Sequence, residues 1–257
     1  MLHISIKPEV IFTFYGLPVT NSMIASIVLT VLFLLFGIYF SGAVGRSKSK
    51  LVFFVRFAIG KLYDLFKPVT KEKSRELFPL LASFFFFILL SNWLGLLPGV
   101  GSIVIRREVP VSEETIDEPE SAATRIVSTP IIRGATADLN TTIALGLFAF
   151  VAIQLLGFKY LGWQYLKKFI SVASPIAFFT GILELISEFS KIVSFAFRLF
   201  GNIFAGEVLI AVIAFLIPVL ASFPFLMLEV FVGFIQALVF SMLTAVFISS
   251  ATAEHHA

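Results

Sequence analysis

The residues whose types and spacing could do chemistry cluster in one stretch, Glu184 to Glu207 (ELISEFSKIVSFAFRLFGNIFAGE). It is strongly apolar, yet it carries five charges: Glu184, Glu188, Lys191, Arg198 and Glu207. Arginine stays charged in proteins. Placing it at bilayer depth costs from about 3 to over 10 kcal/mol depending on the reference. At about 100° per residue, Glu184, Ser187, Lys191, Ser194 and Asn202 all fall within about 40° of Arg198. They form one polar stripe along a greasy helix. Glu207, nine residues on, points about 180° away, toward a different environment that the last helix could supply. A later apolar stretch holds Glu229 and Gln236, seven apart and therefore on one helix face.

Such groups suit proton transfer. Carboxylates in a low dielectric, or close to one another, bind protons more tightly and can exchange them. Arginine cannot carry a proton, but it blocks direct passage and favours the ionised form of a nearby carboxylate. No carboxylate of this chain shares Arg198's face within two turns. A partner carboxylate is therefore expected from another subunit. Two offset aqueous half-paths separated by an arginine pass ions only if a mobile carboxylate shuttles between them. Blander alternatives exist for each group. Arg198 could be bridged to Glu207 or Glu229 as structural glue. Glu188 and Lys191, three apart, read as a solvated or paired surface couple. Ser187 and Ser194 could be small packing residues, and Asn92 could bond a neighbouring helix and nothing more.

The elements that must position these groups are helices. Of 257 residues, 58% are hydrophobic and only 14% are charged, and the mean hydropathy is +1.00. Several apolar runs of about 20 residues match the thickness of a bilayer. They are continuous rather than alternating, which argues against a β-barrel. The expected fold is an all-α polytopic membrane protein. It has about five transmembrane helices and a surface amphipathic helix, and the last two helices form a long, strongly tilted hairpin. There are no cysteines, and His3, His255 and His256 sit at the termini. No metal site is therefore expected inside the membrane.

Residues 1–21 read as an external lead and 22–40 as the first span. The basic segment 46–75 mixes aromatics with Lys and Arg at helical spacing, which suits a helix lying on an anionic membrane surface, or else a basic loop. The second span is 77–97. An external loop follows at 98–137, rich in acids from Glu108 to Glu120, in which SIVIRRE and RIVSTPIIR could pair as a hairpin. The third span is 139–161. From Pro175 to Pro218 no break appears, so a tilted helix carrying Arg198 is expected at 176–217, and the last helix at 225–250. The basic 46–75 and 159–168 loops are cytoplasmic by the positive-inside rule. The N-terminus is then outside and the C-terminus cytoplasmic. No targeting peptide is evident, which favours a bacterial inner membrane. All of this is a single membrane domain without an internal repeat.

SFAFRLFGNIFAGE (194–207) resembles the signature of subunit a of F-type ATP synthases. SNWLGLLPG (91–99), ADLNTT (137–142) and IQALVFSMLTAVFIS (235–249) resemble further stretches of that family, in the same order. The resemblance implies a stator subunit with two offset half-channels. These carry protons to and from carboxylates of a rotating c-subunit ring and couple proton flow to ATP synthesis. It implies as partners the c-ring, the peripheral-stalk subunit b, the rest of the complex and the lipid bilayer. Neither a cofactor nor a nucleic-acid partner is implied. By the same resemblance, Arg198 is the essential arginine, with Asn202 and Gln236 as polar residues near it. Glu207 and Glu229 are the titratable pair of the outer half-channel, and Glu184 and Ser194 belong to the inner one. Asp138 and Asn140 mark the outer mouth. The chain has no glycine-rich phosphate loop, so a non-catalytic, ion-translocating role is expected. The rival reading is a stand-alone secondary transporter whose Arg198 binds an anionic substrate; it usually goes with an internal repeat.

Overall fold

A computed structural model describes residues 9–43, 50–97, 104–110, 124–130, 133–167, 169, 174–217 and 222–253. The chain is helical, with helices α1 (Asn21–Ala43), α2 (Lys50–Thr70), α3 (Ser74–Leu96), α4 (Leu139–Leu161), α5 (Trp163–Lys167), α6 (Pro175–Leu216) and α7 (Ser222–Ala251). Among the described residues, five helical stretches are long and apolar enough to cross a membrane. Large apolar side chains such as Leu34, Ile38, Phe148, Leu155, Phe179 and Phe231 are exposed. Lipid tolerates such a surface and water does not. The expected all-α polytopic membrane fold is the observed one.

The amphipathic segment is a helix rather than a loop. On α2, Val52, Leu62 and Phe66 turn inward while Phe53, Phe54 and Phe57 are exposed. A single 3₁₀ turn, Lys71–Lys73, joins α2 to α3. Lys71 makes the corner in the left-handed region, at φ 48°.

Two short hairpins accompany the helices. β1 (Val10–Phe14) pairs with β2 (Leu17–Thr20), turning through Tyr15 and Gly16. Both turn residues have positive φ (49° and 81°), the geometry that lets a two-residue turn match the strand twist. The hairpin lies in the segment expected as an external lead. β3 (Val104–Pro110) pairs with β4 (Thr124–Pro130), antiparallel, in the loop where a hairpin is expected. The connecting acidic stretch 111–123 and the start of the turn before α7 lie outside the described residues.

The core lies where α3, α4, α6 and α7 meet, around Leu81, Ile88, Ile153, Leu199, Phe240 and Ile248. Phe195 of α6 packs on Phe240 of α7 with ring centroids 4.6 Å apart. Phe84, the first of four consecutive phenylalanines, packs on the same Phe240 at 5.4 Å. α3 and α6 thus approach α7 at one place. α4 lies against α6 closely enough that a Cβ on Gly146 would stand 3.0 Å from the Ile192 carbonyl.

α6 begins cleanly because Ser174 caps it, accepting a hydrogen bond from the Ala177 N–H at 3.1 Å, and Pro175 fills the first position. It then runs 42 residues without interruption. Gly201 and Gly206 do not break it. At about 1.5 Å per residue it is about 63 Å long, against a hydrocarbon core of about 30 Å. Upright, it would leave about half its length outside the hydrocarbon.

The bundle has two ends. The α2 end gathers the start of α3 with the ends of α4 and α7. There Lys73 Nζ donates to the Thr252 carbonyl at 3.0 Å and lies 4.0 Å over the Tyr160 ring, while Lys159 pairs with Glu76. The hairpin end gathers β1–β2, the start of α1, the end of α3 and the 3₁₀ turn Ala135–Ala137 before α4.

Candidate functional site

Arg198 stands on α6 between the two ends and faces out of the bundle. Phe195, Ala196 and Leu199 on the other side of the helix are buried, while Val193 and Phe197 beside it are each 57% exposed. Its one hydrogen bond among the described residues runs from Nη2 to Ser194 Oγ, at 3.3 Å, one turn back. It is not the glue between α6 and α7: no bridge to Glu207 or Glu229 is present. Its environment is therefore an apolar outward surface carrying one permanent charge. Asn202, one turn on, is half-buried, and its Nδ2 has no partner among the described residues.

Toward the hairpin end, α3, α6 and α7 enclose a cavity of about 200 Å³ lined by Asn92, Gly95, Ile203, Glu207, Ile210 and Glu229, among others. The space is large enough for several waters. Both predicted outer carboxylates line it. Their settings differ. Glu207 is ion-paired with Arg133, from the segment before α4. Arg133 Nη2 lies 2.6 Å from Glu207 Oε2, and its Nε donates to the same oxygen at 3.3 Å. The environment expected for Glu207 was the last helix; the partner comes instead from a loop arginine 74 residues earlier. Glu229 is buried at 8% exposure with no hydrogen-bond or ion-pair partner among the described residues. Its carboxyl packs against Gly206 so closely that a Cβ there would overlap it.

Asn92 does more than tie two helices. Its Nδ2 donates to the Gly233 carbonyl at 3.1 Å, and its Oδ1 accepts from Thr136 Oγ1 at 2.7 Å. It anchors α3 to α7 and to the turn before α4, and also presents polar atoms to the cavity. Trp93 Nε1 donates to the Val230 carbonyl at 3.0 Å and reinforces the same seam.

Toward the α2 end a second polar cluster is buried. Glu188, only 1% exposed, accepts from Lys191 Nζ at 2.6 Å and from Gln154 Nε2 of α4 at 2.9 Å. Tyr165 Oη of α5 donates to Gln154 Oε1 at 2.7 Å. Lys191 lies 4.7 Å over the Phe247 ring. The expected surface couple is thus paired but interior, because the face of α6 carrying Glu188 meets α4. Burial first, and then the charges of Glu188 and Glu184, push the Tyr165 phenol up to about 12. Glu184 is half-buried beside this cluster, and Ser187 is exposed.

Gln236 is buried, and its Nε2 has no partner among the described residues. The antiparallel pairing of Gly206 with Glu229 and of Phe195 with Phe240 brackets it near the level of Leu199, beside Arg198 along the bundle. Asp138 is buried and caps α4, its Oδ1 accepting from the Asn140 N–H at 2.9 Å; the Asn140 side chain is exposed.

Arg133, Gln154 and Tyr165 were missed from the sequence. Gln154 left a signal as an amide set deep inside a 23-residue apolar span. Arg133 left only its position, five residues before Asp138. Along α6, Glu207 lies about 13.5 Å from Arg198 toward one end, and Glu188 about 15 Å toward the other. Two carboxylate clusters therefore flank an outward-facing arginine.

The model of the ATP synthase A chain family matches residues 22–249. The ATP synthase subunit a of Gloeobacter violaceus is 34% identical over 228 residues, covering 88% of this chain and 81% of that protein. The match takes in the polar stripe, both glutamate clusters and the Asn92 seam. This chain belongs to the ATP synthase A chain family and is a multi-pass membrane subunit of the proton-translocating sector of an ATP synthase.

Proposed function

We propose that this chain forms two offset proton half-channels against a rotating ring of c subunits, with Arg198 between them. The observation that carries the reading is the outward-facing Arg198, in the middle of the longest helix, whose hydrogen-bond partner is Ser194. A permanent charge on a lipid-facing surface is costly. A carboxylate presented by a second protein removes that cost. The cavity with Glu207 and Glu229 serves as the outer half-channel. Protons reach a rotor carboxylate from there. The rotor carries them round, and they leave past Ser194 and Glu184 on the other side of Arg198. Asn202 and Gln236, with spare amide hydrogens at this level, steady the rotor carboxylate as it passes. Asp138 and Asn140 lie at the outer mouth.

In this reading the hairpin end faces outward and the α2 end faces the cytoplasm, since the basic residues concentrate at 46–75 and 159–168. The N-terminus is outside and the C-terminus inside, in a bacterial inner membrane. The 98–137 segment is an external loop, and subunit b of the peripheral stalk holds the chain against rotation. The membrane potential supplies about 2.3 kcal/mol per charge per 100 mV, so several protons pass for each ATP.

Arg198→Ala tests the reading in inverted vesicles containing the whole complex. ATP-driven acidification, followed by quenching of a pH-sensitive dye, should be lost while ATP hydrolysis by the soluble sector persists. Retained coupled pumping would overturn it. Transport by the chain alone, without a ring, would favour the stand-alone transporter.

A further inference from the structure

Two polar clusters lie inside this one subunit, and an apolar layer parts them. Toward the hairpin end stands the cavity with Asn92, Glu207 and Glu229. Toward the α2 end stand Glu188, Lys191 and Gln154, joined by hydrogen bonds. Between them, Phe84 and Ile88 of α3, Phe195 and Leu199 of α6, and Ala237 and Phe240 of α7 are all buried. The rings touch in a row. Phe240 is 5.4 Å from Phe84 and 4.6 Å from Phe195, centroid to centroid, and Phe195 is 5.7 Å from Phe247. Lys191 Nζ lies 4.7 Å over that same Phe247 ring. Asn92 and Phe84 are eight residues apart on α3, so the layer is about 12 Å deep.

We propose that this layer, with Phe240 at its centre, is an insulator. It keeps the two polar clusters from joining through a file of water inside the subunit, so that protons leave the cavity only by way of the rotor. Along such a file each hydronium would give a proton to the next water and become water itself. Charge would cross the subunit with nothing consumed, and the gradient would discharge without turning anything. Arg198 does not guard this route. It faces out of the bundle, whereas Phe195 and Leu199 lie on the inward side of α6. The inference rests on the half-channel reading above.

The layer gives water neither room nor partners. A space between apolar walls stays dry, whereas one with two to four polar partners holds water. The buried hydroxyls next to Phe240 are already bonded. Ser241 Oγ donates to the Ala237 carbonyl at 3.0 Å, and Thr244 Oγ1 to the Phe240 carbonyl at 2.9 Å. Gln236 keeps an amide hydrogen to spare, but it stands one turn from Phe240 on the cavity side. On the α4 side the helices close up, because Gly146 has no side chain: a Cβ there would stand 3.5 Å from the Phe195 Cβ. A bare charge in such a layer is far costlier than one in a wet cavity.

The test uses vesicles carrying the complete complex, soluble sector attached, with assembly checked by co-purification. Without nucleotide the soluble sector does not turn over and a coupled rotor stands still. Proton entry after an imposed pH step, read with a trapped pH-sensitive dye, then reports bypass alone. Phe240→Asn opens space in the middle of the layer and lines it with an amide. It should speed nucleotide-free proton entry by about tenfold or more, and tenfold needs a barrier lower by only about 1.4 kcal/mol. Phe240→Leu keeps the layer apolar and should stay as tight as wild type. Ile248→Asn makes the same kind of change at a buried position of α7 beyond Phe247, outside the layer, and should also stay tight. A tight Phe240→Asn complex would overturn the inference. An equal leak in Phe240→Leu or Ile248→Asn would overturn it too, by tracing the leak to loosened packing. If Phe240→Asn does not assemble, Ile88→Asn, one turn from Asn92 in the same layer, takes its place with the same outcomes. Arg198→Ala runs alongside. Coupled pumping that survives Arg198→Ala sinks the half-channel reading itself. Pumping lost there, with the layer variants tight, sinks only the insulator.

Discussion

Gly206 offers the sharpest test of whether the position of the Glu229 carboxyl matters to proton transfer. An alanine Cβ at 206 would stand 2.5 Å from Glu229 Oε1 and nearer still to the rest of that carboxyl. Ordinary contact between such a carbon and oxygen begins at about 3.3 Å, so the carboxyl must retreat by about 1 Å. The obstacle is the far end of a flexible side chain. The helix keeps its course, and the folding cost stays at about 1 kcal/mol, the low end of overpacking. Alanine is the better helix former by about 1 kcal/mol, which offsets that cost. Transport has no such relief. A shift of about 1 Å in a reacting group can cost up to about 100-fold, and water in the cavity can bridge part of the gap, so a loss of 10- to 100-fold is expected. The assay is dye quenching in vesicles, with complex assembly and soluble-sector hydrolysis as controls. Gly37→Ala, where a Cβ would meet nothing within 4 Å, should assemble and pump normally. Adding Glu229→Asp to Gly206→Ala shortens the side chain by one methylene and should restore part of the loss. Wild-type pumping in Gly206→Ala would refute the reasoning. So would a loss that tracks assembly, since it would assign Gly206 to packing alone.

Three further outcomes follow from the same geometry. Gly201 lies one turn from Arg198 on an exposed face, with open space for a side chain in this subunit. Gly201→Leu should therefore leave the chain's own stability unchanged yet abolish coupled pumping through collision with a rotor; normal pumping would mean that nothing passes there. Glu188→Ala strands Lys191 in the interior and should destabilise the subunit by about 3–5 kcal/mol, read as lost thermal resistance of the complex in detergent. Replacing both, as Glu188→Leu with Lys191→Met, should recover most of that loss. Tyr165 binds its proton more tightly folded than unfolded, with its phenol at about 12 against an ordinary value of 10.0. Its contribution is complete below pH 10 and lost as pH rises toward 12, because the unfolded chain releases the proton first. Alkaline unfolding in that window should weaken in Tyr165→Phe; an unchanged midpoint slope would exclude this phenol as a source.

What could be read ahead of the structure depended on whether one helix sufficed. The polar stripe was legible because α6 runs 42 residues unbroken, and angular spacing holds over its length. The hydrogen bond from Arg198 back to Ser194 is the i−4 contact that spacing implies. The five apolar helices and α2 were legible for a similar reason, since length and local pattern set them. Glu188 was not. Its angle on α6 was known, but which angle meets α4 is decided by close approaches such as Gly146 against Ile192, and these belong to two chain segments at once. The Arg133–Glu207 pair was further out of reach, joining residues 74 apart, one of them in a loop that no periodicity describes.

The same limit explains how charge is distributed over α6. A helix phased on its own shows which groups share a face, but the surroundings of each face set what those groups can do. The inward charges of α6 found partners in this chain: Glu188 in Lys191 and Gln154, and Glu207 in Arg133. Each pairing lets a charge rest in a poor dielectric and also ties α6 to a neighbour. Arg198 alone was left facing outward, its guanidinium bonded only to a hydroxyl among the described residues. A charge already matched inside the chain would gain little from a moving carboxylate and could not be unmatched at each step of a cycle. An arginine held in place by Ser194 and left without its anion can meet one carboxylate, release it and meet the next. Under this reasoning, giving Arg198 a fixed partner should be as damaging as removing it. Ser194→Glu, which puts a carboxylate one turn away, should stop coupled pumping with Arg198 still present; continued pumping would show that a permanently paired arginine serves as well.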